Sequence, residues 1–165
     1  MTSQLTELLE RLRRGPEVIE TAIRNLADAE LDYSPAPDKW TVRQILAHLA
    51  DAEMVGADRL RRVIAEDNPT LMNYDEAAWA RKLDYDRRGP MQALELFRLT
   101  RAANYDLLKR LPESTFDRSG THSRMGALSL RQLLQIYADH AENHARQIRS
   151  VREQYGLNHA ARASR

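Results

Sequence analysis

The feature that most constrains this chain is the rhythm of its apolar residues, which recur every three to four positions over four long segments and nowhere alternate with a period of two. In one segment Val42, Ile45, Leu49, Ala52, Gly56, Leu60 and Val63 share a stripe, and in another Leu130, Leu134, Tyr137, Ala141, Ile148 and Val151 do. A helix with one apolar stripe must bury it against other helices. Four such helices of about 20 to 27 residues imply an all-α fold and a four-helix bundle. Few glycines and prolines, six of each in 165 residues, agree with that reading.

Local signals set the boundaries. The first helix is expected over residues 3 to 28, with a kink or short break at Gly15-Pro16. "DYSPAPDK" (32 to 39) reads as a loop. The second helix opens at the capping box Thr41-Val-Arg-Gln44 and runs to about Glu66, where "DNP" ends it. Residues 70 to 88 form a connection with a short polar helix in "YDEAAWARKL". Pro90 begins the third helix, which stops near Arg110, and a 16-residue loop from Pro112 to Ala127 follows. The fourth starts at a second capping box, Ser129-Leu-Arg-Gln132, and ends near Gly156, leaving a short disordered tail over about 157 to 165. The whole, 1 to 165, is expected to be one domain.

Composition narrows the chemistry. The chain has no cysteine, so it offers no disulfide, no thiolate nucleophile and no Cys-ligated metal; a metal must use His, Asp or Glu. A net charge of +1 with interspersed signs gives no nucleic-acid surface. No apolar run reaches membrane-spanning length and the polar N-terminus lacks a signal-peptide core, so a cytoplasmic protein is expected, with no membrane partner.

The chemistry-bearing stretch is "YADHAENHARQI". His140 and His144 are four apart, one above the other on a helix, beside its apolar stripe. His48 lies on the flank of the second helix's stripe, about 60° from Ile45. Three imidazoles are a complete ligand set for a catalytic metal that keeps one position open; the alternative is three core-edge histidines with hydrogen-bond partners. Measured along the helices, the histidines align slightly better if the two helices run antiparallel. "HAENH" is not the zincin pattern, because Glu142 falls about 200° from His140 and points to the solvent side. Paired Glu-x-x-His motifs of a di-iron bundle are absent. Weaker candidates are His122, bordering a pocket or lying in a surface loop; Tyr137, offering its hydroxyl to a ligand or sitting in the core; and Asp51, orienting a histidine or solvated on the helix face. Arg43 and Arg131 read as surface charges, and Trp40 and Trp79 as packing or pocket-rim residues.

The elements "KWTVRQILAHLADAE", "NYDEAAWA", "THSRMGALSLRQLL" and "YADHAENHARQI" together resemble the DinB-like family of bacterial four-helix proteins, over about residues 5 to 155. The resemblance implies an up-down-down-up bundle, with a long crossover over 67 to 89 between helices two and three. It also implies one divalent metal ion per chain, zinc or nickel, on His48, His140 and His144. Some members of the family use low-molecular-weight thiols such as bacillithiol, mycothiol or glutathione, and others are named metal-dependent hydrolases; homodimers are common. The resemblance thus implies a metalloenzyme of the thiol S-transferase type acting on small electrophiles. The alternatives are a hydrolase using metal-bound water and a non-enzymatic metal-binding stress-response protein.

Overall fold

The computed structural model describes residues 2–163, and four long helices make its framework: α1 (Ser3–Ala22), α3 (Val42–Ala65), α5 (Pro90–Leu108) and α6 (Leu130–Ala163). Short helices α2 (Asp28–Leu31) and α4 (Glu76–Lys82) lie in the connections. Side-chain pairings give the directions. Arg11 meets Asp139 and Glu142 while Arg152 meets the Ala22 carbonyl, so α1 and α6 run parallel. Glu53 meets Arg101, and Arg61 meets Asn104, so α3 and α5 also run parallel. His48 meets His140, and Arg59 meets Tyr137, so α3 opposes α6. The order is up-down-down-up, and two parallel consecutive helices require the chain to travel back along the bundle between them. Residues 66 to 89 make that return.

The structure departs from the sequence reading in three places. Thr70–Leu71 (β1), Ser119–His122 (β2) and Gly126–Ser129 (β3) form a small sheet, β1 parallel and β3 antiparallel to β2, although no period-two pattern announced it. Strands of two to four residues are too short to show one. The first helix ends at Ala22, not near 28, and α2 follows separately. α6 passes Gly156 and continues to Ala163, so the expected tail is helical over 157–163, and Ser164 and Arg165 lie outside the described residues.

At Pro16, where a kink or a short break was expected, α1 runs on without a break. Proline removes the N–H that would bond the Leu12 carbonyl. Here the Arg101 guanidinium, from α5, donates to that carbonyl at 3.4 Å. Gly15 makes room for it, since a Cβ there would stand 2.6 Å from Arg101 Nη1. Arg101 is fully buried and bonds Glu53 at 2.6 Å, while Asn104 bonds the other Glu53 oxygen at 2.9 Å. The bundle centre is therefore a polar knot between two apolar clusters. One gathers Leu5, Leu12, Leu60, Phe116 and Leu134; the other gathers Ile19, Ile45, Leu49, Phe97 and Ile148.

Candidate metal centre

The N-terminus of α3 is locked two turns before His48. Thr41 Oγ1 accepts from the Gln44 N–H at 3.2 Å, and Gln44 Oε1 accepts from the Thr41 N–H at 2.9 Å. Gln44 also reaches Asp86 at 2.9 Å, and Arg43 clamps Asp32 at 2.6 Å, so Arg43 ties α3 to the preceding loop instead of facing solvent alone. Arg131, expected as a surface charge, lies within 3.9 Å of Glu113. With α3 fixed and α6 antiparallel to it, His48 (1% exposed) faces His140 and His144.

The three Nε2 atoms converge. His48 Nε2 lies 3.0 Å from His140 Nε2, which lies 3.1 Å from His144 Nε2. Among the described residues this is the one cluster of three or more His, Cys, Asp or Glu able to share an ion, its ligand atoms all within 4.8 Å of one another. Bonds of about 2.0 to 2.1 Å to a tetrahedral zinc place ligand nitrogens about 3.3 Å apart, close to the two spacings that His140 makes with His48 and His144. Burial holds all three imidazoles below their ordinary pKa, His48 down to about 3 and His140 well down, so they stay neutral and present lone pairs. Gln147 Oε1, 2.8 Å from His144 Nδ1, puts the proton on Nδ1 and frees Nε2 for a ligand role. Each neutral ring offers its Nε2 lone pair to a common point when its proton sits on Nδ1, so the donor set fits a divalent metal. Nδ1 of His48 and of His140 are buried without a hydrogen-bond partner, so burial, and for His48 the Trp40 ring 4.9 Å away, orients those two rings.

Comparison with known proteins agrees with this geometry. A family model described as the DinB superfamily matches residues 11–148. The chain belongs to the DinB superfamily. It is 31% identical over 148 residues to a protein of Oceanobacillus iheyensis named as a candidate metal-dependent hydrolase, covering 89% of this chain and 85% of that one. Bacillus subtilis YfiT, which carries the same designation, is 27% identical over 93% of this chain and 86% of its own. The YfiT structure, described as an unusual four-helix bundle topology, superposes with a TM-score of 0.87 at 26% identity, covering 94% of this chain and 90% of that one. A mycothiol-dependent maleylpyruvate isomerase shares the fold at a TM-score of 0.70 and 17% identity, over 90% of this chain and 63% of the isomerase.

The weaker candidates are resolved differently in this DinB protein. Asp51 is 3% exposed, neither solvated nor bonded to a histidine. It accepts from Tyr85 at 2.8 Å and from both terminal nitrogens of Arg88 at 3.2 and 3.3 Å, pinning the crossover to α3 one turn beyond His48. His122 is buried, not a surface-loop residue, and its Nδ1 accepts the backbone N–H groups of Arg124 and Met125, closing the β2–β3 turn. Tyr137 is a core residue whose hydroxyl accepts from Arg59 at 3.2 Å. A Cβ on Gly56 would fall 2.5 Å from its ring, so that glycine is what lets α3 and α6 approach there. Glu142 points away from the histidines as expected, but to Arg11 of α1 at 2.8 Å rather than to open solvent. Sequence reasoning passed over Arg101, Asn104 and Glu53, although all three sit in apolar stripes.

Proposed function

We propose that this protein is a metalloenzyme in which His48, His140 and His144 hold one divalent metal, zinc or nickel, with a coordination position left open for a small nucleophile. The observation that carries the reading is the convergence of the Nε2 atoms of three neutral histidines, His48 buried and His140 and His144 half-buried, with no fourth protein ligand among the described residues. Structural zinc sites fill every position, whereas three-ligand sites leave one for chemistry. Such a metal lowers the pKa of a water in that position to about 7. The residues do the rest. Gln147 keeps His144 in the ligating tautomer, Thr41 and Gln44 fix the height of His48, and the Asp51–Tyr85–Arg88 cluster holds the crossover against the site.

Hydrolysis by metal-activated water is favoured by the designation shared by relatives at 27 to 31% identity. Thiol-dependent transfer is the second reading. The chain has no cysteine, so the sulfur would come from a diffusible thiol, and a mycothiol-dependent enzyme shares the fold. The test is turnover by zinc- or nickel-loaded protein of p-nitrophenyl acetate without thiol, and of monochlorobimane with bacillithiol, mycothiol or glutathione, beside His48→Ala. Turnover that needs no thiol and is lost in His48→Ala supports the hydrolase. Turnover only with thiol moves the assignment to the transferase. No turnover above that of the free metal in either assay would sink the enzyme reading.

A further inference from the structure

A cavity of about 600 Å³ opens between α3 and the crossover, and its wall on α3 begins at Met54 and Val55, about two turns beyond His48. Its wall continues the face that carries His48. Val55 and Arg59 are seven and eleven residues beyond His48, within about 20° of its direction, and Arg59 is about 16 Å further along the axis. Across the cavity the rings of Tyr74 and Trp79 lie 4.4 Å apart, and Met72 and Asn73 complete that side. Trp79 and Trp40 pack against the same small cluster, and the Trp40 ring is tilted against His48 with centroids 4.9 Å apart.

Arg59 is a cation supplied only with neutral partners. One terminal nitrogen donates to the Tyr137 hydroxyl at 3.2 Å and the other to the Met72 carbonyl at 2.5 Å, while its buried Nε has no partner. No carboxylate among the described residues is paired with it. The one acid in the cavity wall, Asp58, is taken by Arg62 at 2.8 Å. Arg62 is paired with both Asp58 and Glu66, which leaves Arg59 as the arginine of the cavity wall with no carboxylate partner among the described residues. A guanidinium partly withdrawn from water without an anion is costly, and a carboxylate matches its fork geometry. A phosphate dianion would need a second free cation, and Arg62 is committed.

We propose that this cavity binds an organic carboxylate with an apolar or aromatic body, Arg59 receiving the carboxylate and Val55, Tyr74 and Trp79 flanking the body. This inference rests on the metalloenzyme reading, because it names the class of molecule presented to that centre. The test is titration of ¹⁵N-labelled protein, zinc-loaded and metal-free, with phenylacetate and with phenylacetamide, following the Trp79 indole N–H identified by Trp79→Phe. Phenylacetate is expected to shift that resonance saturably and to bind about tenfold or more tightly than the amide, the discrimination that a charged hydrogen-bonded partner supplies. Arg59→Met should abolish the preference. Asn73→Asp, on an exposed side chain, should weaken phenylacetate binding and not that of the amide, without changing the melting temperature. Equal binding of the two probes, no shift at Trp79, or a preference that survives Arg59→Met overturns the proposal. Metal content is read on the same samples: full occupancy with no carboxylate preference sinks the cavity assignment alone, and carboxylate binding without metal uptake sinks the metal centre alone.

Discussion

Glu53→Leu is the sharpest probe of how this bundle is held together. Glu53 and Arg101 are 1% and 0% exposed and 2.6 Å apart, and Asn104 donates to the second carboxylate oxygen. Removing the carboxylate leaves a guanidinium at the bundle centre whose other polar contact is the Leu12 carbonyl at 3.4 Å. Breaking a buried pair from one side costs about 3 to 5 kcal/mol. For a domain of this size that corresponds to a fall in Tm of roughly 6 to 20 °C. The second half of the prediction is that Glu53→Leu/Arg101→Met is more stable than Glu53→Leu alone, since a buried pair replaced together by apolar residues is often close to neutral. Urea and thermal unfolding by circular dichroism measure both. A single variant losing under about 1 kcal/mol, or a double variant whose loss is the sum of the two single losses, would refute the view that the two charges depend on each other.

Two further outcomes follow from the metal centre. Gln147→Leu removes the hydrogen bond that sets the His144 tautomer and should weaken zinc affinity by about 10- to 100-fold with the fold intact, measured by competition with a chromogenic chelator; unchanged affinity would remove Gln147 from the site. Metal-free protein should lose stability as pH falls. His48, His140 and His144 are held neutral by burial in the fold but protonate near 6.5 once unfolded, so protons favour the unfolded chain below that pH, by up to about 1.4 kcal/mol per pH unit for each histidine. The His48 contribution keeps falling away until pH nears its folded value of about 3. Urea midpoints at pH 7.5, 6 and 5 should decline in that order, and a flat profile would contradict the desolvated, neutral state of the three rings.

Much of the bundle was legible because its helices obey one-dimensional rules. The capping boxes at Thr41 and Ser129 place two helix starts within a residue, and His140 and His144 share a face by spacing alone. The polar knot was overlooked although its signal was present. Leu94, Phe97, Arg101, Asn104 and Leu108 follow one another at intervals of three and four, as do Leu49, Glu53, Gly56 and Leu60, so the stripes of α5 and α3 run straight through charged positions. Such a residue reads as an interruption until its partner on another helix is known. Asp51 failed for the related reason that its partners, Tyr85 and Arg88, lie 34 and 37 residues away in the crossover. The β1–β2 pairing joins segments about 50 residues apart, which no local pattern announces. That Pro16 leaves α1 unbroken was not legible locally, because the group that meets the freed Leu12 carbonyl, Arg101, comes from a different helix.

The measurement that bears most directly on the central claim is metal content by mass spectrometry, on protein purified without an affinity tag, beside His140→Ala/His144→Ala. One zinc or nickel ion per chain, lost in the variant, is the predicted result. Protein that folds without metal and takes up neither added zinc nor added nickel would contradict it, and would return His48, His140 and His144 to the role of core packing.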